Sequence, residues 1–249
     1  MSGHSKWSTI KRKKAKTDAA RGKVFTRIIK DIMIAAREGG GDEDTNPKLR
    51  TAVLAAKAVN MPSANIDRAI KKGTGELEGV HYEEGVLEGY GPGGVAIYIE
   101  FVTDNRNRTV AEIRHHITKH GGNLAESGAV AWMFEKKGLV TVPSEGVDED
   151  QLLLQVVEAG AEDMTNEGEF FEIICQVDQL EDVKAALDAS GIEYESARLH
   201  MVPKNTLQVE GKNAEHLLKL MDLIEEHDDV QSVYANFDID ASVMEQMES

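Results

Sequence analysis

The residue types best suited to metal binding lie on one predicted helix. Glu112, His116 and His120 are spaced four residues apart, so a helix would place all three on one face. The same face adjoins an apolar stripe containing Ile113 and Ile117. His120 falls at the helix end, where the dipole favours a cation. Surface placement explains the spacing without a metal, and we expect no metal site.

Two glycine-rich segments resemble loops that cradle phosphate groups. A dinucleotide-binding loop needs a strand before it and a helix after it, because the backbone N–H groups at the helix start bind the phosphates. Gly91–Gly94 is followed by an alternating β-branched segment, and Gly73–Gly75 follows a helix instead of preceding one. We interpret Gly91–Gly94 as a connection between two strands. No cofactor is expected.

The sequence also offers few residues or motifs suited to nucleophilic or acid–base catalysis. Cys175 is the only cysteine, and strand-like alternation with Phe171, Ile173 and Val177 predicts a buried thiol. The chain has no nucleophile-elbow motif, and its carboxylates are spread over predicted helix faces. We therefore predict a non-enzyme with no catalytic residues and no small-molecule substrate. An enzyme would have to show turnover that depends on His116 or His120.

The strongest functional signal is an uneven distribution of charge. The first thirty residues hold ten Lys or Arg and one acid, although the whole chain has a formal net charge of −16. Residues 1–72 carry a net charge of +10, and residues 73–249 carry −26. A basic end on an acidic body favours contact with a polyanion through that end. Trp7 could stack on an unpaired base.

We accordingly predict a nucleic-acid-binding surface on the arm and the helical segment that follows it. Its predicted members are Lys6, Trp7, Lys11, Arg12, Lys13, Lys14, Lys16, Arg21, Lys23, Arg27, Lys30, Lys71 and Lys72. The arm could instead be a solubilising tail or a localisation signal. A second hypothesis is a protein-interaction module that uses grooves between domains. No recognition-helix module or zinc finger marks duplex DNA as the only target.

Composition also sets expectations about location and assembly. No apolar run approaches the roughly 20 residues that span a bilayer, and the N-terminus lacks the apolar core of a secretory signal. A cytoplasmic protein without a membrane partner is therefore expected. We expect a monomer because no hydrophobic repeat demands a partner chain.

The first predicted elements are three short helices that form a small bundle. Phe25 to Ala36 has helical spacing, with basic residues off the apolar stripe that predict a basic outer surface. Asn46 is predicted to cap a second helix that has Pro47 at its first position and Asn60 on its apolar stripe. Ser63 is predicted to cap a third helix ending near Gly73.

Strands and helices alternate after residue 79. Strands are predicted at 86–90, 95–102 and 129–134, with a helix at 109–120. From Gly138 the pattern becomes strand, helix, strand, strand, helix, strand, which is the ferredoxin-like order. The last elements, at 206–209, 214–227 and 230–239, are predicted to complete the sheet that begins at Val86.

These patterns predict an α+β multidomain fold: an N-terminal three-helix bundle and two α+β sandwich domains, the inserted one ferredoxin-like (βαββαβ). We assign residues 1–20 to a basic flexible arm and 21–78 to the helical domain. A discontinuous α+β domain comprises 79–135 plus 204–241, the inserted ferredoxin-like domain comprises 136–203, and 242–249 form a tail.

Several segments of the chain closely resemble the YebC family. They include the N-terminal Met-Ser-Gly-His-Ser-Lys-Trp, Lys23-Val-Phe25, Asn60-Met-Pro62, Ile66 to Glu76 and Glu88-Gly-Tyr-Gly-Pro-Gly-Gly-Val-Ala96, together with Asp104-Asn-Arg-Asn-Arg-Thr109 and Gly128 to Phe134. The resemblance implies one helical and two α+β domains. Family members are described as probable DNA-binding transcriptional regulators, and mitochondrial relatives as ribosome-associated translational activators. It therefore implies a non-enzymatic regulator of gene expression that binds either DNA or ribosomal RNA.

Overall fold

The structure, a computed structural model, describes residues 18–239, and its first part is a bundle of three helices. They are α1 (Asp18–Gly39), α2 (Pro47–Ala58) and α3 (Ser63–Gly73). The predicted helical bundle is confirmed, although α1 begins well before Phe25. Its core contains the fully buried side chains of Ile32, Leu49, Val53 and Ala56, which the apolar stripes supply.

Asn46 fixes the junction between α1 and α2. Its side-chain oxygen accepts from the Leu49 N–H at 3.1 Å, as the cap prediction requires. Its amide nitrogen donates to the carbonyl oxygens of Ala35 (2.7 Å) and Gly40 (2.8 Å), which are at the end of α1. One buried side chain therefore starts α2 and satisfies carbonyl groups at the end of α1.

Two details of the helical prediction are wrong. Ser63 lies inside α3 and makes no capping bond, because Pro62 occupies the cap position. Asn60 lies beyond the end of α2 with φ +57° and so is not on its apolar stripe. Asn is among the residues that tolerate this left-handed conformation best, which suits it to the turn before Met61.

The remainder of the described chain alternates strands with helices. In chain order the elements are β1 (Glu83–Tyr90), β2 (Ala96–Thr103), α4 (Arg106–Lys119), β3 (Asn123–Leu124), β4 (Phe134–Pro143), α5 (Glu149–Glu158), β5 (Ala161–Asn166), β6 (Phe170–Cys175), α6 (Leu180–Ala189), β7 (Ser196–Pro203), β8 (Leu207–Gln208), α7 (Gly211–Glu225), β9 (Val230–Ala235) and β10 (Phe237–Asp238). The predicted α+β class is confirmed.

The first sheet has strand order β3-β1-β2-β9 and is covered on one face by α4 and α7. Its core brings Ile97 and Ile99 of β2 against Ile117 of α4 and Leu217 of α7. The late strand β9 joins this sheet, as the sequence pattern predicts, and it pairs antiparallel with β2. The strand near residue 207 does not join this sheet: β8 pairs with β10 in a separate parallel pair, which corrects that prediction.

The second sheet has order β5-β6-β4-β7 and is antiparallel throughout. With α5 and α6, it has the ferredoxin-like arrangement predicted from the sequence. The first residue of β4, Phe134, pairs with the last residue of β7, Pro203. This sheet lies in sequence between β3 and β8, although the domain boundaries given above stay a prediction.

The strand predicted at 129–134 is wrong. Residues Ala131–Met133 form a 3-10 turn, and the strand begins only at Phe134. Alternation of apolar and small residues predicts a strand there. The backbone N–H groups of this segment instead bond to a carboxylate of β1, described below.

Candidate nucleic-acid interface

Most of the predicted binding residues fall outside the described part of the chain. These are Lys6, Trp7, Lys11, Arg12, Lys13, Lys14 and Lys16. Arg21 belongs to α1, and side chains are described from Gly22 onward. The predicted members whose contacts can be examined are therefore Lys23, Arg27, Lys30, Lys71 and Lys72.

The cations of α1 face the end of α7. Lys23 Nζ donates to the Glu226 carbonyl oxygen at 2.7 Å, and Arg27 Nη2 donates to the Glu225 carbonyl oxygen at 2.7 Å. These carbonyl groups lie where a helix has no backbone donors left and where its dipole is negative. The two side chains therefore supply donors to the C-terminal end of α7.

Lys30 extends the same contact into the interior. Its side chain is only about 6% exposed, and its Nζ lies 3.0 Å from Asp229 Oδ1. It also donates to the carbonyl oxygens of Val102 (3.0 Å) and Asp228 (2.9 Å). All three donors of the ammonium group thus have acceptors. The predicted basic outer surface of α1 is wrong at Lys30, because this residue is buried between α1 and the first sheet.

The carboxylate of Asp229 accepts hydrogen bonds from several elements. Its Oδ2 accepts from Thr103 Oγ1 (3.0 Å), Thr109 Oγ1 (2.7 Å) and Arg108 Nη2 (2.8 Å). Burial alone would raise the pKa of Asp229, but the hydrogen bonds from Arg108, Thr109 and Lys30 outweigh burial and hold the pKa well below its usual range. We call Lys23, Arg27, Lys30 and Asp229 the domain clasp.

The pKa of Asp31, which follows Lys30 in α1, is shifted upward, in the opposite direction to the pKa of Asp229. Its Oδ1 accepts from Gln231 Nε2 of β9 at 3.0 Å. Burial, and then the nearby carboxylates of Glu84 and Glu100, raise its pKa to about 7 against the opposing effects of Arg27 and Lys30. The clasp region therefore holds one strongly ionised carboxylate and one that is partly protonated near neutral pH.

Lys71 and Lys72 are in the last turn of α3, and both are exposed. Lys72 lines a cleft together with Arg37 of α1 and His81 of the segment before β1. Sequence reasoning missed Arg37 as a site candidate and missed His81 altogether. No local signal could have found them, because the cleft forms only when α1, the end of α3 and residues 79–82 come together.

Trp132 is a second feature that sequence reasoning missed. Its side chain is 66% exposed, and its indole N–H donates to the Ala129 carbonyl oxygen at 3.0 Å. The turn is held by buried Glu88 of β1, which accepts from the N–H groups of Gly128 (2.7 Å), Val130 (2.7 Å) and Ala131 (2.8 Å). Burial raises the pKa of Glu88, but these three bonds together hold it below its usual value.

The structure does not assemble the metal ligands considered above. Glu112 Oε2 lies 2.9 Å from His227 Nε2, and His120 Nδ1 lies 2.9 Å from the His116 carbonyl oxygen. Among the side chains described, residues 22–239, no group of three His, Cys, Asp or Glu is arranged to hold a metal ion. Cys175 is buried, and burial raises the pKa of its thiol, as expected for a core cysteine.

The glycine-rich loop connects two strands, as its sequence predicts. Residues Pro92–Gly94 form a short 3-10 turn between β1 and β2, and Gly93 and Gly94 have φ near +80°. A Cβ at Gly91 would lie 2.9 Å from Ile97 and 3.1 Å from Leu217, so the loop packs tightly onto α7. Among the described helices, none is long and apolar enough to cross a membrane.

Comparison with known proteins identifies relatives over nearly the whole chain. A family model described as "TACO1/YebC protein N-terminal domain" matches residues 5–76, and "TACO1/YebC second and third domain" matches residues 82–237. A protein of Syntrophobacter fumaroxidans is 57% identical, with 99% of this chain and 100% of that protein covered. One of Desulfotalea psychrophila is 55% identical, with 99% of each chain covered. Both are named probable transcriptional regulatory proteins.

A solved structure supports the same relationship. The crystal structure of a conserved hypothetical protein from Aquifex aeolicus is 48% identical and superposes with a TM-score of 0.82. The match covers 91% of this chain and 93% of that one.

Proposed function

Because the chain belongs to the TACO1/YebC family, we propose that it is a non-enzymatic regulator of gene expression that binds nucleic acid through its basic arm and helical domain. Its relatives are named transcriptional regulators, which favours DNA as the target. We expect it to act in the cytoplasm.

The distribution of charge carries this proposal. A net charge of +10 on residues 1–72 and −26 on residues 73–249 means that only one end of the molecule attracts phosphates. Each cation that neutralises a phosphate releases a condensed counterion, which favours binding at low salt. The acidic body would be repelled and would keep the bound strand at the basic end.

Only part of the predicted surface supports the proposal. The arm and the side chain of Arg21 lie outside the described side chains, and Lys71 and Lys72 are exposed. Lys23, Arg27 and Lys30 donate to acceptors inside the protein. The proposal therefore rests on the first group and does not need Lys30.

RNA on the ribosome is the second candidate target. The observation that favours it is the strongly acidic body, which long bare DNA would repel but which a crowded ribonucleoprotein could accommodate around local basic anchors. Binding to either target would be governed by the same arm, so the two must be compared directly.

The test is to replace Arg12, Lys13, Lys14 and Lys16 with Gln in the full chain. We expect weaker binding to the natural target, because four phosphate contacts are removed. If about six phosphates of a single strand are contacted, log K falls with log salt at a slope near −4 in the wild type, and the variant slope is shallower by about 3. Binding to promoter DNA and to ribosomes is measured at several salt concentrations.

The matched control replaces four exposed lysines of the α+β part: Lys136, Lys204, Lys212 and Lys219. It removes the same charge and should leave the slope unchanged. Salt-insensitive binding that survives the arm substitutions would overturn the proposal. A loss confined to ribosomes would identify RNA, and a loss confined to DNA would identify DNA, as the target.

A further inference from the structure

The cleft between α1, the end of α3 and residues 79–82 lies where the basic helical bundle meets the start of the acidic part of the chain. It has a volume of about 340 Å³ and is lined by 11 residues, none of them Asp or Glu. Its charged or titratable basic lining groups are Arg37, Lys72 and His81. A larger cleft of about 470 Å³ beside α5 is instead lined by Glu145, Asp148 and Glu193, so that cleft does not suit an anion.

The floor of the cleft is apolar and fixed in place. Met33 and Ile34 of α1 line it and are almost fully buried in the protein. The ring of Tyr82 also lines it and packs against the helical core, with Lys30 Nζ 5.4 Å from the ring centroid. A planar apolar ligand group would meet Tyr82 and the small exposed parts of Met33 and Ile34 there.

The rim can donate to an anion. Arg37 is exposed and lines the cleft, and its Nη1 donates to the Tyr82 carbonyl oxygen. A guanidinium has five N–H donors, so one such bond leaves others to donate to a ligand. The carbonyl oxygens of Ile70, Lys71 and Lys72 at the end of α3 already accept from the N–H groups of Thr74, Leu77 and Gly75. The polar groups left at the rim are therefore mainly cationic side chains.

We propose that this cleft binds an unpaired nucleotide, with the base on the floor formed by Met33, Ile34 and Tyr82 and a phosphate at Lys72 and Arg37. A volume of about 340 Å³ lies within the range of small-molecule sites, roughly 300–1,000 Å³. Single-stranded RNA and DNA share this chemistry. The inference rests on the proposed function and adds to it a specific point of contact for a base, beyond attraction to the backbone.

Two matched pairs of variants test the site in the full chain. Lys72→Ala removes a cation that lines the cleft, and Lys71→Ala removes its exposed neighbour in sequence, which does not. Val80→Glu places an acid at an exposed lining position, and Leu77→Glu places the same charge at an exposed position that does not line the cleft. Each protein is titrated with labelled 12-residue RNA and DNA strands and with abasic strands of equal charge.

The wild type should bind the base-bearing strands about fivefold or more tightly than the abasic strands, since stacking of one base contributes at least that factor. Val80→Glu should reduce this preference to below about twofold, and Leu77→Glu should keep it. Lys72→Ala should weaken the binding of both kinds of strand, because both carry the phosphate, and should do so more than Lys71→Ala. A base-bearing strand containing 4-thiouridine should crosslink to residues 73–82. The comparison of RNA with DNA strands shows which sugar the cleft accepts.

Equal effects of Lys71→Ala and Lys72→Ala, or a wild type that does not distinguish abasic strands, would overturn the nucleotide site. In that case a salt dependence that disappears with the arm substitutions would still support the proposed function. Absence of any binding of the wild type to nucleic acid would overturn both. Thermal unfolding of each variant confirms that a lost preference is not lost folding.

Discussion

At the scale of single residues, two buried carboxylates connect parts of the chain that are far apart in sequence. Glu88 accepts three backbone N–H bonds from residues 128–131, and Asp229 accepts from two hydroxyl groups and two cations. Burying a carboxylate lowers the stability of the folded state unless its oxygens accept hydrogen bonds or pair with cations. Each therefore requires its partners to be present and correctly placed.

Replacing Glu88 with Gln should destabilise the protein by about 2–3 kcal/mol. The amide keeps one acceptor oxygen but turns an NH₂ group towards a backbone N–H donor. Amide hydrogen exchange at Gly128, Val130 and Ala131 should become faster, and urea unfolding measures the stability. The wild-type advantage should also shrink as pH falls, because the pKa of Glu88 is lowered in the folded state.

Glu126→Gln is the control, since Glu126 is an exposed residue of the same loop. It should leave both stability and exchange unchanged. If Glu88→Gln exchanged at the wild-type rate, the carboxylate would not be what holds the turn beneath Trp132.

At the scale of elements, two faces of α1 make contacts with the rest of the protein. One face carries Ile28 and Ile32 into the helical core, and the other carries Arg27, Lys30 and Asp31 towards α7 and the first sheet. Because both faces are occupied, Arg27, Lys30 and Asp31 do not face solvent as an amphipathic pattern would suggest. The helix joins the bundle to the rest of the molecule.

Asp31→Asn should stabilise the protein more at pH 8 than at pH 5. The pKa of Asp31 is about 7 when folded and about 3.8 when unfolded. The folded state thus keeps a proton that the unfolded state loses, and stability falls as pH rises from about 4 through 7. Asn avoids this loss and can still accept from Gln231. We expect its advantage to grow by about 2–3 kcal/mol between pH 5 and pH 8, measured by urea unfolding.

Asp67→Asn provides the comparison, because Asp67 is an exposed carboxylate of α3 in the same helical domain. The Asp67→Asn variant measures how the loss of one exposed negative charge changes the free energy of unfolding. An advantage of Asp31→Asn that is equal at both pH values would contradict the placement of Asp31 among Glu84 and Glu100.

The sequence predicts elements well where the pattern is local. The cap at Asn46, the helical bundle and the ferredoxin-like order of elements after Gly138 follow from spacing and turn residues, and the structure confirms them. The segment 129–134 fails because its alternation is that of a strand, while its conformation is set by Glu88, which is distant in sequence. Local periodicity carries no information about such a partner.

The candidate interface was less predictable for the same reason. The charge split identified the basic end, but the burial of Lys30 depends on Asp229, which is near the other end of the chain. The cleft at Lys72 likewise needs Arg37 and His81 from separate segments. A count of cations cannot separate those that pair inside the protein from those that face a ligand.

At the scale of the whole molecule, the domain clasp is the main polar connection described between the helical bundle and the first sheet. Lys30 is paired with a carboxylate that also binds Arg108 and two threonines of the β2–α4 region. Removing one partner of a buried pair leaves the other charge uncompensated. The orientation of the basic bundle on the acidic body should therefore depend on Asp229.

Asp229→Ala should lower the free energy of unfolding by about 3–5 kcal/mol. It should also loosen the bundle, so that the protease that cuts after glutamate cleaves faster at Glu76 and Glu78, in the segment between α3 and β1. Asp228→Ala is the control, because it keeps the backbone carbonyl that accepts from Lys30 and removes only an exposed side chain whose charge acts on Arg27 through space. Similar cleavage rates for the two variants would contradict the clasp.

The pairing of Phe134 with Pro203 has a consequence for how such a chain could change over time. The two ends of the ferredoxin-like segment emerge side by side, so a short turn could replace everything between them without stretching the remaining backbone. A replacement segment would still have to fill the place where His200 of β7 packs edge-on against Tyr234 of β9.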